Sequence, residues 1–450
     1  MIENYEKYLD LLHEKRFSQL KQEMAEMFEA DVAEFLEEVE DIDEIVKIFR
    51  LLPKNMGADT FSYLDSDLQE ELIRKLSDNE IHVIIEELAT DDAADLLEEM
   101  PANVARRILA QSSPETRQTI NRLLQYEEDT AGSVMTTECI TLRGHLTVAE
   151  AFASIRSQAK ESEHLNVFYV IDSRRVLLGT VSVKALIMSE PSAVVLDIME
   201  DNVVYGETFT DQETIAHLFS KYDLLTVPIV DKERRLVGIV TVDDVIDIIS
   251  EEATEDITKM AGVVATDKPY LKTSAAVLWF ARAPWLLLLM VSATFTGIIL
   301  NEFEKTLIPV LVACVPMLMG TGGNAGGQSS VTVIRGISLQ EIEGNDFFKV
   351  VWKEIRVGFL CAISLALVCF GKLMLIDHLL LGYPYTWQNS LVVSLSIGLT
   401  VIMAKLVGAM LPFLAKAIKL DPAVVASPFI TTIIDVLSLL IFVLLAGLIL

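Results

Sequence analysis

The segment GTGGNAGGQSS, Gly320–Ser330, decides the fold because it directly follows the apolar run TLIPVLVACVPMLM, Thr306–Met319. An apolar stretch of about 20 residues crosses a bilayer as a helix. At that depth, polar or irregular chain is tolerated only where it is buried in protein or lines a wet cavity. Glycines allow a neighbouring helix to approach closely, and the segment also supplies polar groups that bond water: Asn324, Gln328, Ser329 and Ser330. The segment therefore predicts a membrane-embedded helix that packs closely, borders a water-filled path, or both.

Charge divides the chain into two unlike halves. The 450 residues include 65 acidic and 36 basic side chains, for a net charge of -29. The acidic excess lies before about Met260, and the chain is mostly apolar from about Val277 to Leu450. So acidic a region disfavours nucleic acid as a partner and favours cations. The first residues, MIENYEKYLDLLHEKRF, lack the apolar core of a signal peptide, so we expect the acidic half to stay in the cytoplasm.

Five stretches are long and apolar enough to cross a membrane: residues 278–300, 307–334, 355–377, 389–415 and 423–449. The loop after the second stretch carries Arg335, Lys349, Lys353 and Arg356, whereas residues 377–388 carry no lysine or arginine. Basic loops stay on the cytoplasmic side of a membrane. We therefore expect a multi-pass protein of the cytoplasmic membrane, surrounded by lipid, with its N-terminus inside and its C-terminus outside.

Asp435 lies near the middle of the last span, in FITTIIDVLSLLIF. A carboxylate at that depth usually faces a pore or a partner group; the alternative is a protonated, hydrogen-bonded carboxyl. Thr431 and Thr432 share its helix face, and Pro428 frees backbone carbonyls nearby. This all-oxygen set suits a hard cation such as Mg²⁺ or Ca²⁺. Lys405, inside the fourth span, either snorkels to the interface or pairs with an acid.

The acidic half predicts a helical domain followed by a repeat. Residues up to about 130 have helical periodicity, as in DVAEFLEEVEDIDEIVKIFRLL, and predict stacked helical hairpins. Then LNVFYVIDSRRVLLGTVSVKALI aligns with LLTVPIVDKERRLVGIVTVDDVI, and each copy predicts a strand, a turn, a second strand that opens with Gly179 or Gly238, and a helix. The repeat resembles tandem cystathionine-β-synthase-type (CBS) domains, an α/β module. The resemblance implies an adenine nucleotide site at Thr241 and Asp244 of the second copy.

The helix predicted after the second copy, TVDDVIDIISEEATEDITKMAG, carries two stripes. The apolar stripe contains Val242, Val245, Ile246, Ile249, Ala253 and Ile257. The acidic stripe contains Asp244, Asp247, Glu251 and Glu255, with Glu252 and Asp256 beside it. The helical domain supplies a second acidic face: Asp91, Asp92 and Asp95. A divalent cation would draw two such repelling faces together, so we expect a cation sensor here; a solvated helix face is the alternative.

The chain resembles the MgtE family of magnesium transporters over nearly its whole length. The resemblance is carried by the order of the domains, by EEATEDITKMAG (Glu251–Gly262), by MGTGGNAGGQS (Met319–Ser329), and by LVGAMLPFL (Leu406–Leu414) with LDPAVVASPFITTIIDV (Leu420–Val436). It implies a helical N domain at 1–130, CBS domains at 131–196 and 197–250, an acidic connecting (plug) helix and linker at 251–273, and a five-helix α-helical pore domain at 274–450.

The resemblance also implies a homodimeric Mg²⁺ channel with its pore on the two-fold axis. Asp435 and the backbone at Thr431 would hold hydrated Mg²⁺, and the pore-lining positions would be Gly323, Asn324, Gly326 and Ser427, the last of which stands where family members can carry Asn. Cytoplasmic Mg²⁺ would close the pore through Asp244, Asp247, Glu252, Glu255, Asp256 and Asp421, with Asp91, Asp95, Glu213 and Asp223 as further ligands. ATP at the CBS pair would tune this gate.

Two other interpretations stay open. The CBS pair alone would suit a nucleotide-sensing membrane receptor without transport. The oxygen-rich last span would also suit a channel for another divalent cation, such as Mn²⁺ or Co²⁺. An enzyme is not expected, because no nucleophile–base pair can be assembled and no GK[ST] follows the glycines as a P-loop requires.

Overall fold

The helical periodicity of the first 130 residues forms a series of short helices in the computed structural model. Several begin where a side chain accepts a hydrogen bond from a first-turn N–H, as at Asp41, Asp65, Ser77 and Ser113. The helices are α1 (Tyr5–His13), α2 (Phe17–Met24), α3 (Glu29–Glu38), α4 (Ile42–Phe49), α5 (Lys54–Ser62), α6 (Ser66–Lys75), α7 (Asp78–Glu87), α8 (Thr90–Glu99), α9 (Ala102–Gln111) and α10 (Pro114–Leu123). Their apolar faces share one core, which confirms the all-α prediction.

The structure describes residues 5–159, 162, 164–266, 270–304, 309–425 and 427–450 and, within them, every side chain except those of residues 5, 6, 55, 302–304, 425, 427 and 428. Contacts divide the chain into two units, residues 1–249 and 250–450, which are described separately.

Each copy of the repeat forms a three-stranded sheet. The strands are β1 (Thr141–Arg143), β2 (Val167–Ile171) and β3 (Leu177–Ser182) in the first copy and β4 (Gly206–Glu207), β5 (Thr226–Val230) and β6 (Leu236–Thr241) in the second. In both sheets the central strand pairs parallel with the first strand and antiparallel with the third. The helices of this module are α11 (Val148–Gln158), α12 (Val183–Met188), α13 (Val195–Ile198) and α14 (Gln212–Tyr222). The predicted α/β pair is therefore confirmed.

Gly179 and Gly238 lie at the third position of β3 and β6, not at the start as predicted. A Cβ on Gly179 would lie 2.6 Å from the carbonyl oxygen of Glu200, and a Cβ on Gly238 would lie 2.5 Å from that of Thr136. The segment that leads into each copy thus crosses the third strand of the other copy. Only glycine permits backbones to approach so closely, so these two positions let the copies interlock.

Helix α15 (Val242–Met260) follows β6 without a break. Its buried residues are Val245 and Ile248, whereas Ile246 and Ile257 are 62% and 63% exposed. The predicted apolar stripe is therefore wrong in part. Residues three apart share a helix face, and the packed face runs through Val245 and Ile248 instead.

Within the described residues, five helical stretches have the length and apolar composition of membrane spans: Ala275–Asn301, Pro309–Ser338, Gly344–Leu380, Trp387–Ala417 and Phe429–Ile449. The helices of this half are α16 (Ala275–Glu304), α17 (Pro309–Val312), α18 (Val315–Ser338), α19 (Phe347–Gly371), α20 (Trp387–Ala417) and α21 (Ser427–Ile449). A 3-10 turn at Gly344–Asp346 precedes α19, a π-helix at Lys372–Leu380 follows it, and a second 3-10 turn at Pro422–Val425 lies between α20 and α21. The predicted number of spans is confirmed, although helix turns extend beyond several of the apolar stretches. Helix α20 packs against α18, α19 and α21, whereas α16 is exposed along most of its length.

Candidate functional site

The glycine segment forms part of one continuous helix, α18, so its backbone groups are satisfied within the helix. A Cβ on Gly322 would lie 2.7 Å from both Ile434 and Thr400. A Cβ on Gly326 would lie 2.8 Å from Ile430 and would overlap Ile434. Helices α20 and α21 therefore approach α18 more closely than any larger residue would allow, which confirms the predicted close packing at these two glycines.

Asp435 and Thr431 lie one turn apart on α21. Thr431 lies beside the glycine face of α18, which Gly322, Gly323 and Gly326 form. A Cβ on Gly323 would lie 3.1 Å from the Thr431 methyl group. Asp435 is half-buried, and no ion pair to its carboxylate occurs among the described residues. An intramembrane carboxylate without a counter-charge is expected to face a polar path or a cation.

Polar side chains around the glycine segment are divided between exposed and buried positions. Asn324 and Gln328, one turn apart, are exposed. The hydroxyls of Ser330 and Thr400 are buried and find no hydrogen-bond partner in the described part of the chain. Because buried hydroxyls normally have partners, these two mark places where water would bind. The side chain of Ser427, predicted to line the same region, lies outside the described residues.

Lys405 is buried, with 6% of its surface exposed, and does not snorkel. Its Nζ donates a hydrogen bond of 3.3 Å to Ser329 Oγ. That hydroxyl donates a hydrogen bond of 2.5 Å to Glu354 Oε2. Lys405 therefore reaches an acid through a serine. Sequence analysis missed Glu354 because the predicted third span began one residue after it.

A second charged pair in the membrane half was not predicted. Lys372 Nζ lies 2.6 Å from Asp377 Oδ2, and Asp377 is buried. Residues five apart do not face each other on an α-helix. The π-helix over Lys372–Leu380, with its i→i+5 hydrogen bonds, brings them to one face. The pair could not be found from α-helical periodicity.

The end of α15 brings several predicted ligands together. Lys259 Nζ lies 2.5 Å from Glu255 Oε1 and 2.8 Å from Asp421 Oδ2. One cationic group thus already bridges two of these carboxylates. Asp256 Oδ2 accepts a hydrogen bond of 3.1 Å from Ser338, at the end of α18. Burial and repulsion from Asp421 raise the pKa of the Asp256 carboxyl, so this place favours positive charge.

In the first unit, α8 and the start of α15 form a crowded acidic face. Burial and repulsion, above all from Asp244, raise the pKa of Asp92 to about 6. Burial and then repulsion from Glu98, Asp92 and Asp244 raise the pKa of Asp95 to about 7, although one side of Asp95 is open to solvent. Asp91, on the same helix, is buried. Repulsion between carboxylates raises their pKa values, and a bound cation would relieve that repulsion.

Among the other predicted ligands, Asp247 adds its repulsion to the burial that raises the pKa of Asp244. Asp247 is exposed and Glu252 is half-buried. Glu213 lies in the first turn of α14 and Asp223 directly follows that helix, so about 15 Å separates them, too far to share one ion. Among the residues that the structure describes, no three His, Cys, Asp or Glu side chains are arranged as a complete metal site.

The predicted nucleotide residues contact each other. The backbone N–H of Thr241 donates a hydrogen bond of 3.3 Å to Asp244 Oδ2, and its hydroxyl donates to the same oxygen. In the first copy, Ser182 accepts a hydrogen bond from the N–H of Ala185, which offers no carboxylate in return. The two copies therefore differ in polarity at equivalent positions, and Asp244 belongs both to the nucleotide motif and to the acidic face.

Three family models match the chain. One described as a divalent cation transporter covers residues 315–445, and one described as an MgtE intracellular N domain covers residues 27–129. The CBS domain model matches residues 131–190 and 195–251. The matches follow one another between residues 27 and 445, and residues 252–314 lie outside them.

Individual relatives agree with these models. The chain is 39% identical to the magnesium transporter MgtE of Thermus thermophilus over 409 residues, which are 90% of this chain and 89% of that protein. It is 33% identical to the magnesium transporter MgtE of Bacillus subtilis over 414 residues, 88% of this chain and 89% of that protein. Its fold is similar to the crystal structure of the cytosolic domain of the Mg²⁺ channel MgtE in complex with ATP, with 35% identity, a TM-score of 0.52, and coverage of 54% of this chain and 99% of that one.

Proposed function

Since the chain belongs to the MgtE family of magnesium transporters, we propose that it is a homodimeric, Mg²⁺-selective channel that cytoplasmic Mg²⁺ closes. It would lie in the cytoplasmic membrane with its N-terminus inside and its C-terminus outside, as the basic loops favour. Membership of a transporter family also means that the chain is not an enzyme.

The observation that carries the proposal is the carboxylate of Asp435 in the last span. It lies one turn from Thr431, which contacts the glycine face of α18 at Gly323. Two copies of such a carboxylate facing each other would repel, and a cation between them would remove the repulsion. Mg²⁺ sheds its water reluctantly, so a few oxygens can select its octahedral hydration shell without stripping it.

Transport of Mg²⁺ into the cell needs no chemical energy source. An inside-negative membrane potential favours the entry of a cation by about 2.3 kcal/mol per charge per 100 mV. Water in the path would reach the unpaired hydroxyls of Ser330 and Thr400. Asn324, Gly326 and Ser427 are the further lining positions that we propose.

Closure by Mg²⁺ is supported by the end of α15. Lys259 bridges Glu255 and Asp421, which lie close enough to share one cation. Asp256 contacts Ser338 at the end of α18, the helix that carries the glycine face. A divalent ion held by Glu255, Asp256 and Asp421 would tie α15 to both α18 and the segment before α21. Closure follows if Mg²⁺ binds this arrangement better than the open one.

We also propose the remaining regulatory ligands and a nucleotide site. Asp91, Asp95 and Asp244 form the crowded face described above, and Asp247, Glu252, Glu213 and Asp223 would need to come together around further ions. The related cytosolic domain was solved with ATP, and we propose that ATP binds here at Thr241 and Asp244. Binding of either ligand would shift the same equilibrium between open and closed states.

The first test is Mg²⁺ flux into proteoliposomes, wild type beside Asp435→Ala, with low and then high Mg²⁺ on the cytoplasmic face. We expect flux in the wild type, loss of flux in Asp435→Ala, and lower wild-type flux at high Mg²⁺. Glu341→Ala, which removes an exposed carboxylate in the loop between the second and third spans, is the matched control and should conduct normally.

Other outcomes have definite meanings. Normal flux in Asp435→Ala would refute its role in the pore. An absence of wild-type flux together with tight ATP binding would favour the nucleotide-sensing receptor. Equal flux of Mn²⁺ or Co²⁺ would remove the claim of selectivity and leave a general divalent cation channel.

A further inference from the structure

A buried lysine in the membrane half makes contacts that the proposed pore does not use. Lys405 donates to Ser329, and Ser329 donates to Glu354. No direct ion pair joins Lys405 to Glu354, two residues that the structure describes in full, so Ser329 stands between the two charges. A serine hydroxyl has one proton to donate and lone pairs that accept. The two hydrogen bonds therefore run in one direction. The Lys405 ammonium donates to the Ser329 hydroxyl, and that hydroxyl donates to the Glu354 carboxylate.

Close helix packing holds the lysine in this arrangement. A Cβ on Gly358 would lie 3.4 Å from Ile402 Cα and 3.7 Å from both Cβ and Cδ of Lys405. The aliphatic stem of Lys405 therefore lies over Gly358, one turn after Glu354 on α19. The missing side chain at Gly358 makes the room in which the lysine passes between α19 and α20.

The hydroxyl in the middle belongs to the glycine face of α18. Gly322, Gly326 and Ser329 stand at positions i, i+4 and i+7 and share one side of the helix. The first two contact α20 and α21. Ser329 lies in the next turn, where it meets Lys405 of α20 and Glu354 of α19. The contacts thus join three helices just beyond the closely packed glycines.

We propose that Lys405 is a positioning residue for ion permeation. Lys405, Ser329 and Glu354 form a charge-balanced chain of hydrogen bonds, here called the relay, and this relay holds the glycine face of α18 in place. Because Glu354 balances the charge of Lys405, the Lys405 ammonium does not repel a divalent ion in the pore domain. Breaking a buried pair by removing one partner leaves an uncompensated charge, whereas removing both partners is often tolerated. The inference rests on the proposed Mg²⁺ channel.

The test is Mg²⁺ flux into proteoliposomes for Glu354→Gln, Lys405→Met and the double variant. We expect Glu354→Gln to lower flux about tenfold, because an unbalanced ammonium repels Mg²⁺. Lys405→Met should also lower flux, because it leaves the half-buried carboxylate of Glu354 unbalanced. The double variant should return to within about twofold of the wild type. A purely packing role would leave the double variant as poor as the worse single variant, and that result would overturn the proposal.

Ser329 provides the second comparison. Ser329→Ala should lower flux, whereas Ser329→Thr, which keeps the hydroxyl, should retain it. Equal flux in the two would overturn the relay even if a charge variant failed to fold. Lys416→Met, an exposed lysine at the end of α20, is the matched control. No wild-type flux would refute the proposed channel and this inference together, whereas an active wild type with additive losses would refute the inference alone.

Discussion

Gly326 contributes no side chain where α18 meets α21, and Ile430 and Ile434 fill that space. Gly320, two turns earlier on the same helix, has no neighbour within 4 Å of the place where its Cβ would be. The two glycines look equivalent in the sequence, but they have different roles. Gly326 sets the distance between α18 and α21, whereas Gly320 lies on a side of α18 that no other residue covers among those that the structure describes.

Gly326→Ala and Gly320→Ala should therefore differ in stability. The extra methyl group at position 326 would force α21 away, and overpacking of this kind typically lowers the free energy of unfolding by about 1–3 kcal/mol. The same change at position 320 should be neutral or stabilising by up to about 1 kcal/mol, since Ala is the better helix former. Thermal unfolding of the purified protein in detergent measures both. Equal midpoints would contradict the packing role of Gly326.

Helices α8 and α15 place like charges side by side, and this arrangement has a cost in the absence of cations. Burial and crowding raise the pKa of Asp95 to about 7, above the 3.8 of an ordinary aspartate. The folded state therefore holds this proton more tightly than the unfolded state does. The free energy of unfolding therefore falls as the pH rises from about 4 to about 7 and Asp95 loses its proton. This loss of stability is complete above pH 7.

Asp95→Asn should raise the unfolding midpoint of the full-length protein at pH 8 without Mg²⁺. Because Asp95 is open to solvent on one side, screening limits the effect, and we expect a rise of about 2 °C. The difference between variant and wild type should shrink towards pH 4, and Mg²⁺ should stabilise the variant less than the wild type. Asp10→Asn, a change at an exposed acid of α1, is the control. A variant less stable than wild type at pH 8 would show that Asp95 is not repelled there.

The whole chain joins an acidic half to an apolar half that contains the five candidate spans. At the end of α15, Asp256 contacts Ser338 and Lys259 contacts Asp421, and we propose that these contacts link Mg²⁺ binding to conduction. A movement of α15 would therefore displace α18 and the segment before α21. Helices α18 and α21 meet at Gly323 and Thr431.

The double variant Glu255→Gln with Asp256→Asn should keep the channel open at high cytoplasmic Mg²⁺. Two fewer charges weaken divalent binding, and we expect the Mg²⁺ concentration for half closure to rise at least about tenfold. Flux at low Mg²⁺ should remain normal. Glu341→Gln, an exposed acid in the loop after α18, is the matched control. Closure at the wild-type Mg²⁺ concentration would exclude this cluster as the gate.

Much of the architecture could be predicted because it depends on local patterns. Helical periodicity identified the first domain, the aligned repeat identified the CBS pair, and long apolar runs identified five spans. Asp435 was noticed for the same reason, since a lone carboxylate within an apolar run needs no knowledge of its neighbours. The stripe on α15 was wrong in part, because periodicity defines a helix face but not how far the helix is rotated against its partner.

The sequence by itself therefore determined the order of the domains, the number of spans and the intramembrane carboxylate, all of which depend on the polarity of neighbouring residues. Only the tertiary structure decided the partners of the charged groups. Lys405 meets Ser329 across 76 positions, and Lys259 meets Asp421 across 162. Lys372 meets Asp377 only because a π-helix replaces an α-helix there. Such contacts depend on the rotation and register of packed helices, which the apolar patterns of the separate helices leave undetermined.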